Sequence, residues 1–96
     1  MIKDEDKQLL VDSFKEADQK HSLDAFLDDL LTEQEMVDLS QRVRIAKGII
    51  KDKTYLEVSN KVNASTTTIT KVGQIIKYGK GAFFKLFGKR GEKHGS

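Results

Sequence analysis

The chain of 96 residues contains no cysteine, no proline and no tryptophan. Without cysteine there are no disulfides, no thiol nucleophile and no cysteine-ligated zinc. Without proline, no long stretch is barred from running as uninterrupted helix. Glycine is scarce before the C-terminal third, since six of the seven lie at or after position 73. No run approaches the roughly 18 apolar residues of a membrane span. No basic segment followed by an apolar stretch and a cleavage site marks a signal peptide. The two histidines, His21 and His94, are not at ligand spacing. These absences lead us to expect a cytoplasmic protein with no membrane association, no metal and no cofactor.

What is present is an uneven distribution of charge. The formal net charge of +2 conceals a split between an acidic and a basic part. Residues 1–38 carry 12 acids and 4 bases, whereas residues 39–96 carry 3 acids and 13 bases. Such asymmetry points to an acidic structural part and a basic part that faces a polyanion. A length of 96 residues is enough for one domain with a modest core. We therefore expect a single all-helical domain over 1–88, followed by a flexible basic tail over 89–96.

Apolar spacing supplies the helices. Between Asp4 and Lys20, Leu10, Phe14 and Ala17 recur at four and three residues, which marks one buried helical face. Ser22 is placed to cap a short second helix with Leu23, Phe26, Leu27, Leu30 and Leu31 on its apolar side. Thr32 and Glu35, in "TEQE", have the spacing of a capping box. Behind them Met36, Leu39, Val43, Ala46 and Ile50 predict the inner face of a long helix ending near Lys51, before a turn at "KDK".

The segment "NASTTTITKV", residues 63–72, is rich in β-branched residues and reads as a strand by propensity alone. No second strand is available to pair with it. Ile69, Val72 and Ile76 fall at helical spacing, so the better reading is a helix held against its own weak propensity. Before it, Thr54 and Glu57 form a second capping-box pattern, and Tyr55 or Leu56 joins Val58 and Val62 on an inner face. Asn63 tolerates the left-handed turn conformation, and Ser65 is placed to cap the next helix. Two helices joined by a tight turn over about 54–77 make a helix-turn-helix. Its apolar lock is Val58, Val62, Ala64, Ile69 and Val72, with small Ser59 at the close approach. Outward on the second helix stand Ser65, Thr66, Thr67, Thr70, Lys71 and Gln74, with Lys77 one turn further. Short hydroxyls permit close approach to DNA, threonine methyls suit thymine methyls, glutamine pairs with adenine and lysine contacts phosphate.

The motifs "LLT", "QRVRIAKGII", "KTYLEV", "ASTTTITKV" and "IIKYGKGAF" occur in this order over roughly residues 23–84. In this they resemble the Trp repressor superfamily, and within it the YerC/YecD-type Trp-repressor-like regulators. The resemblance implies an all-α, intertwined homodimer that binds double-stranded operator DNA with paired recognition helices. It also places an indole amino-acid pocket beside Thr32 and Arg42. At the other pocket positions, however, stand Lys71, Val72 and Ile75, where the Trp repressor has an arginine, a glycine and a serine. Two bulky β-branched side chains fill the ring space, so L-tryptophan is not expected as corepressor.

Other readings carry less weight. Asp28 and Asp29 lie on a solvated helical face with no nucleophile or histidine near in sequence, so no enzyme is expected. Arg42 and Arg44 suit a carboxylate ligand, but pairing with acids such as Glu33 or Glu35 across a dimer accounts for them better. The basic, aromatic stretch 79–95 is expected to cover the dimer core with Phe83, Phe84 and Phe87. The expected function is sequence-specific transcriptional regulation, repressor-like, with α-helical reading of the major groove. The alternative is a helical protein-interaction module that keeps the fold without specific DNA binding.

Overall fold

The computed structural model describes residues 1–51 and 54–88. Within them the chain is all-α: α1 (Asp4–Gln19), α2 (Leu23–Leu30), α3 (Glu33–Ile50), α4 (Tyr55–Val62), α5 (Thr66–Tyr78) and α6 (Ala82–Phe87). No strand occurs among the described residues. The threonine-rich segment is helical, as its apolar spacing and the lack of a partner strand predict. Packing divides the chain into two compact units that meet within α3, between Met36 and Val37. The predicted turn at "KDK" and the predicted tail 89–96 lie, wholly or in part, outside the described residues.

In the first unit, α1 and α2 form a helical hairpin. Asp4, Glu5 and Asp6 occupy the first turn of α1, where negative charge complements the helix dipole. The turn between the helices is made by His21, at φ 56°, a left-handed residue that helical periodicity does not reveal. Ser22 stands at the N-cap position but makes no cap bond; its hydroxyl donates instead to the Lys20 carbonyl at 3.1 Å. The rings of Phe14 and Phe26 meet edge to face, 5.4 Å apart. Of the predicted face Leu10, Phe14 and Ala17, only Ala17 is buried. A two-helix hairpin has one side to cover it, so the rest of that stripe stays open. Lys20 donates to Glu16 at 2.9 Å, and this hydrogen bond, with the ammonium charge, holds the Glu16 carboxyl below the usual range. Both side chains are exposed, and solvent screens the pair.

The capping box at the start of α3 is complete. The Thr32 hydroxyl accepts from the Glu35 amide at 3.1 Å, and Glu35 Oε1 accepts from the Thr32 amide at 2.9 Å. The predicted stripe on α3 is only half correct. Ala46 and Ile50 are buried, but Leu39 is 44% exposed and Val43 42%. In their place Ile45, absent from the predicted stripe, is completely buried. The C-terminal half of α3 is gripped from a different side, by α4 and α5.

The core of the second unit is one cluster of Ile45, Ala46, Ile50, Val58, Val62, Ile69, Val72 and Ile76. Phe83, Phe84 and Phe87 of α6 pack against it, with Ile49 and Ala64. These rings therefore pack on the core of their own chain. Helix α6 itself escapes a periodicity reading because it is only 6 residues long. It starts at Gly81, whose φ of 81° suits glycine. Lys47 of α3 places its ammonium 5.7 Å from the Phe87 ring centroid, a cation–π contact that ties α6 to α3.

Candidate nucleic-acid interface

Helices α4 and α5 and the turn between them form the predicted helix-turn-helix, and its parts are local in origin. The Thr54 hydroxyl accepts from the Glu57 amide at 3.1 Å and caps α4. It also donates to Glu57 Oε1 at 3.1 Å, so this box closes through the side chain instead of the Thr54 amide. Asn63 ends α4 in the left-handed conformation, at φ 52° and ψ 44°, as predicted. The Ser59 hydroxyl donates to the Ala64 carbonyl at 3.4 Å and spans the turn from within. Ser65 caps α5 by accepting from the Thr68 amide at 3.2 Å, and its oxygen is 3.0 Å from the Thr68 hydroxyl.

The inner face of α4 is Val58 and Val62, both buried. The choice left open between Tyr55 and Leu56 is made by packing. Leu56 is 71% exposed, whereas the Tyr55 ring lies against Gly73 of α5. The close approach of the two helices therefore runs through a glycine on α5 as well as Ser59 on α4. Sequence reading identified only the serine.

On α5, Ile69, Val72, Gly73 and Ile76 are buried. At 3.6 residues per turn, Thr66, Thr67, Thr70, Lys71, Gln74 and Lys77 fall within an arc of about 140° on the opposite side. All six are exposed, and so is Ser65 at the cap. The structure thus brings these seven predicted residues onto one surface. Tyr78 falls within the same arc and is 82% exposed. Sequence reasoning passed over it, although it lies four residues after Gln74 and seven after Lys71. The helix carries no acidic residue anywhere from Thr66 to Tyr78. Its N-terminal amides and its lysines leave this face wholly attractive to anions.

The two predicted ligand contacts are placed differently. Thr32 is committed to its capping box in the first unit, and Arg42 is an exposed residue of α3 in the second. Of the residues expected to fill an indole pocket, Val72 is buried in the core, whereas Ile75 is at the surface. Among the described residues, no three His, Cys, Asp or Glu side chains gather to hold a metal ion. No described helix is long and apolar enough to cross a membrane.

The family model described as Trp repressor protein matches residues 5–90, nearly the whole chain. The chain belongs to the Trp repressor protein family. It is also similar to the uncharacterized protein YerC of Bacillus subtilis (strain 168), at 36% identity over 58 residues. That match covers 60% of this chain and 56% of YerC, so the chain spans little more than half the relative's length. No solved structure matches. The chain is thus a Trp-repressor-like protein of YerC type with an all-α fold.

Proposed function

We propose that this protein is a sequence-specific, repressor-like regulator of transcription that lays α5 in the major groove of double-stranded DNA. The observation that carries the reading is the acid-free arc of Thr66, Thr67, Thr70, Lys71, Gln74 and Lys77, capped by Ser65. Lys71 and Lys77 contact phosphates, which fixes register without reading sequence. The threonines and Gln74 face base edges, where a methyl group and an amide have distinct partners.

The regulator acts as a homodimer in this reading. Val37, Leu39 and Val43 of α3 are exposed in the single chain, as are Leu9, Leu10, Val11 and Phe14 of α1. Contiguous apolar side chains on helical faces are ordinarily covered by a partner, and two-fold symmetry is the commonest solution. Two symmetry-related α5 helices would read two half-sites about one turn of DNA apart. L-tryptophan is not its corepressor. Val72, where the family resemblance places a glycine, is buried in the core, and Ile75 stands where it places the serine near the ligand amine.

Selection of bound sequences from random duplexes tests the proposal, followed by titration of the selected DNA at several salt concentrations. A two-fold-related consensus and a linear fall of log affinity with log salt are expected. Enrichment of no sequence, with weak and uniform binding, would instead leave a protein-interaction module that uses the same basic face.

A further inference from the structure

Tyr78 closes α5 with its side chain 82% exposed, and its hydroxyl has no hydrogen-bond partner among the described residues. One exposed tyrosine is ordinary on a protein surface. What sets Tyr78 apart is its surroundings. It borders a shallow hollow of about 460 Å³ that is lined also by Lys71, Gln74, Ile75 and Gly79. Ile75 and the tyrosine ring make the apolar part of the lining, and Lys71 and Gln74 make the polar part. Gly79 leaves the edge bare, since a Cβ there would run into the Ile75 carbonyl. No carboxylate lines the hollow, and no Asp or Glu occurs anywhere in residues 58–91. The carbonyl end of α5 disfavours an anion, but Lys77 and Lys80 flank Tyr78 and offset it.

Helix geometry decides which part of DNA this end meets. At about 1.5 Å per residue, Tyr78 lies roughly 16 Å along the axis from Thr67, whereas the major groove is about 12 Å wide. With the N-terminal turns of α5 at base edges, its last turn has left the groove and stands over a sugar-phosphate strand. We infer that Tyr78 is a positioning residue for DNA, its ring on a deoxyribose and its hydroxyl donating to the adjoining phosphate. Ile75 and the ring take the apolar sugar face, and the phenol and the Lys71 ammonium take the phosphate. Tyrosine hydroxyls are among the ordinary donors to DNA phosphates, and such a contact fixes register without reading a base. This contact rests on the proposed placing of α5 in the major groove, and adds to it an uncharged anchor at the far end of the helix.

The test uses the full chain and the duplex it selects from random DNA. Tyr78→Phe should bind that duplex about tenfold more weakly, having lost a hydrogen bond to a charged acceptor. Tyr78→Ala should lose about a further fivefold with the contact area of the ring. Neither change removes a charge, so the salt slope and the selected consensus should stay those of the wild type. Thermal midpoints should hold, because the side chain is exposed. Phosphates neutralised one at a time as methylphosphonates should reveal a position in each half-site that weakens the wild type more than Tyr78→Phe. A wild-type protein that selects no duplex would bring down the groove reading and this contact together. Undiminished affinity of Tyr78→Phe for a duplex that the wild type binds would overturn the contact alone. So would a loss of affinity traced by light scattering to dissociation of a dimer, which would make Tyr78 a contact between copies.

Discussion

The hydroxyl of Tyr55, at the first position of α4, occupies the space that a Cβ on Gly73 of α5 would need. The contact sets how closely the two helices of the helix-turn-helix approach, and it uses the far end of a flexible, 45% exposed side chain. Two effects therefore compete when Gly73 becomes alanine. Helix propensity favours alanine by about 1 kcal/mol, and displacement of the tyrosine ring opposes it. We expect Gly73→Ala to stabilise by about 1 kcal/mol in a Tyr55→Ala background and to gain little or nothing with Tyr55 intact. Urea unfolding of the four proteins measures the coupling, and additivity would show that the contact does not matter.

Capping of α5 should be separable from DNA contact. Ser65→Ala removes the acceptor for the Thr68 amide and should cost about 1 kcal/mol. Ser65→Asn restores an acceptor and should recover most of that stability. If DNA affinity follows stability across both variants, Ser65 acts as a cap alone; a loss that persists in the asparagine variant marks a direct contact.

Core cost should be largest at Ile45. Its side chain is completely enclosed, so Ile45→Ala should destabilise by about 2–5 kcal/mol and Ile45→Val by about 0.5–1.5 kcal/mol. Leu39→Ala on the same helix should cost far less in dilute monomer. A denaturation series at low protein concentration separates the two.

Self-association should depend on the exposed side of α3. Leu39→Asp combined with Val43→Asp places two charges where an apolar partner surface is proposed, and should yield a monomer by light scattering at micromolar concentration. A wild-type protein that is itself monomeric under those conditions would sink the dimer.

For the lysines, Lys71→Ala and Lys77→Ala should each lower affinity for all duplexes and reduce the salt slope by about 1. A loss confined to one sequence, with the slope unchanged, would make them base readers. Calorimetry with millimolar L-tryptophan should give no saturable heat with or without DNA.

Much of the helix-turn-helix could be read in the sequence because its signals are local. Thr54, Asn63 and Ser65 act within three or four residues of themselves, through a hydroxyl that reaches a nearby amide or a backbone that accepts positive φ. The outward arc of α5 follows from periodicity, since its helix has one buried side and the remaining positions are fixed by 100° steps. Even the threonine-rich run resolves in this way, because its isoleucines and valine repeat at helical and not alternating spacing.

What only tertiary structure decided concerns which neighbour each face meets. The stripe Met36, Leu39, Val43, Ala46 and Ile50 has sound helical spacing, yet within one chain α4 and α5 cover only its C-terminal part and bury Ile45 beside it. Periodicity gives the direction of a face along one helix and says nothing of what lies opposite. The same holds for Tyr55 over Leu56, for Gly73, and for Phe83, Phe84 and Phe87 folding back on their own core. Each depends on atoms distant in sequence coming within van der Waals reach, and that is settled by packing, not by local pattern.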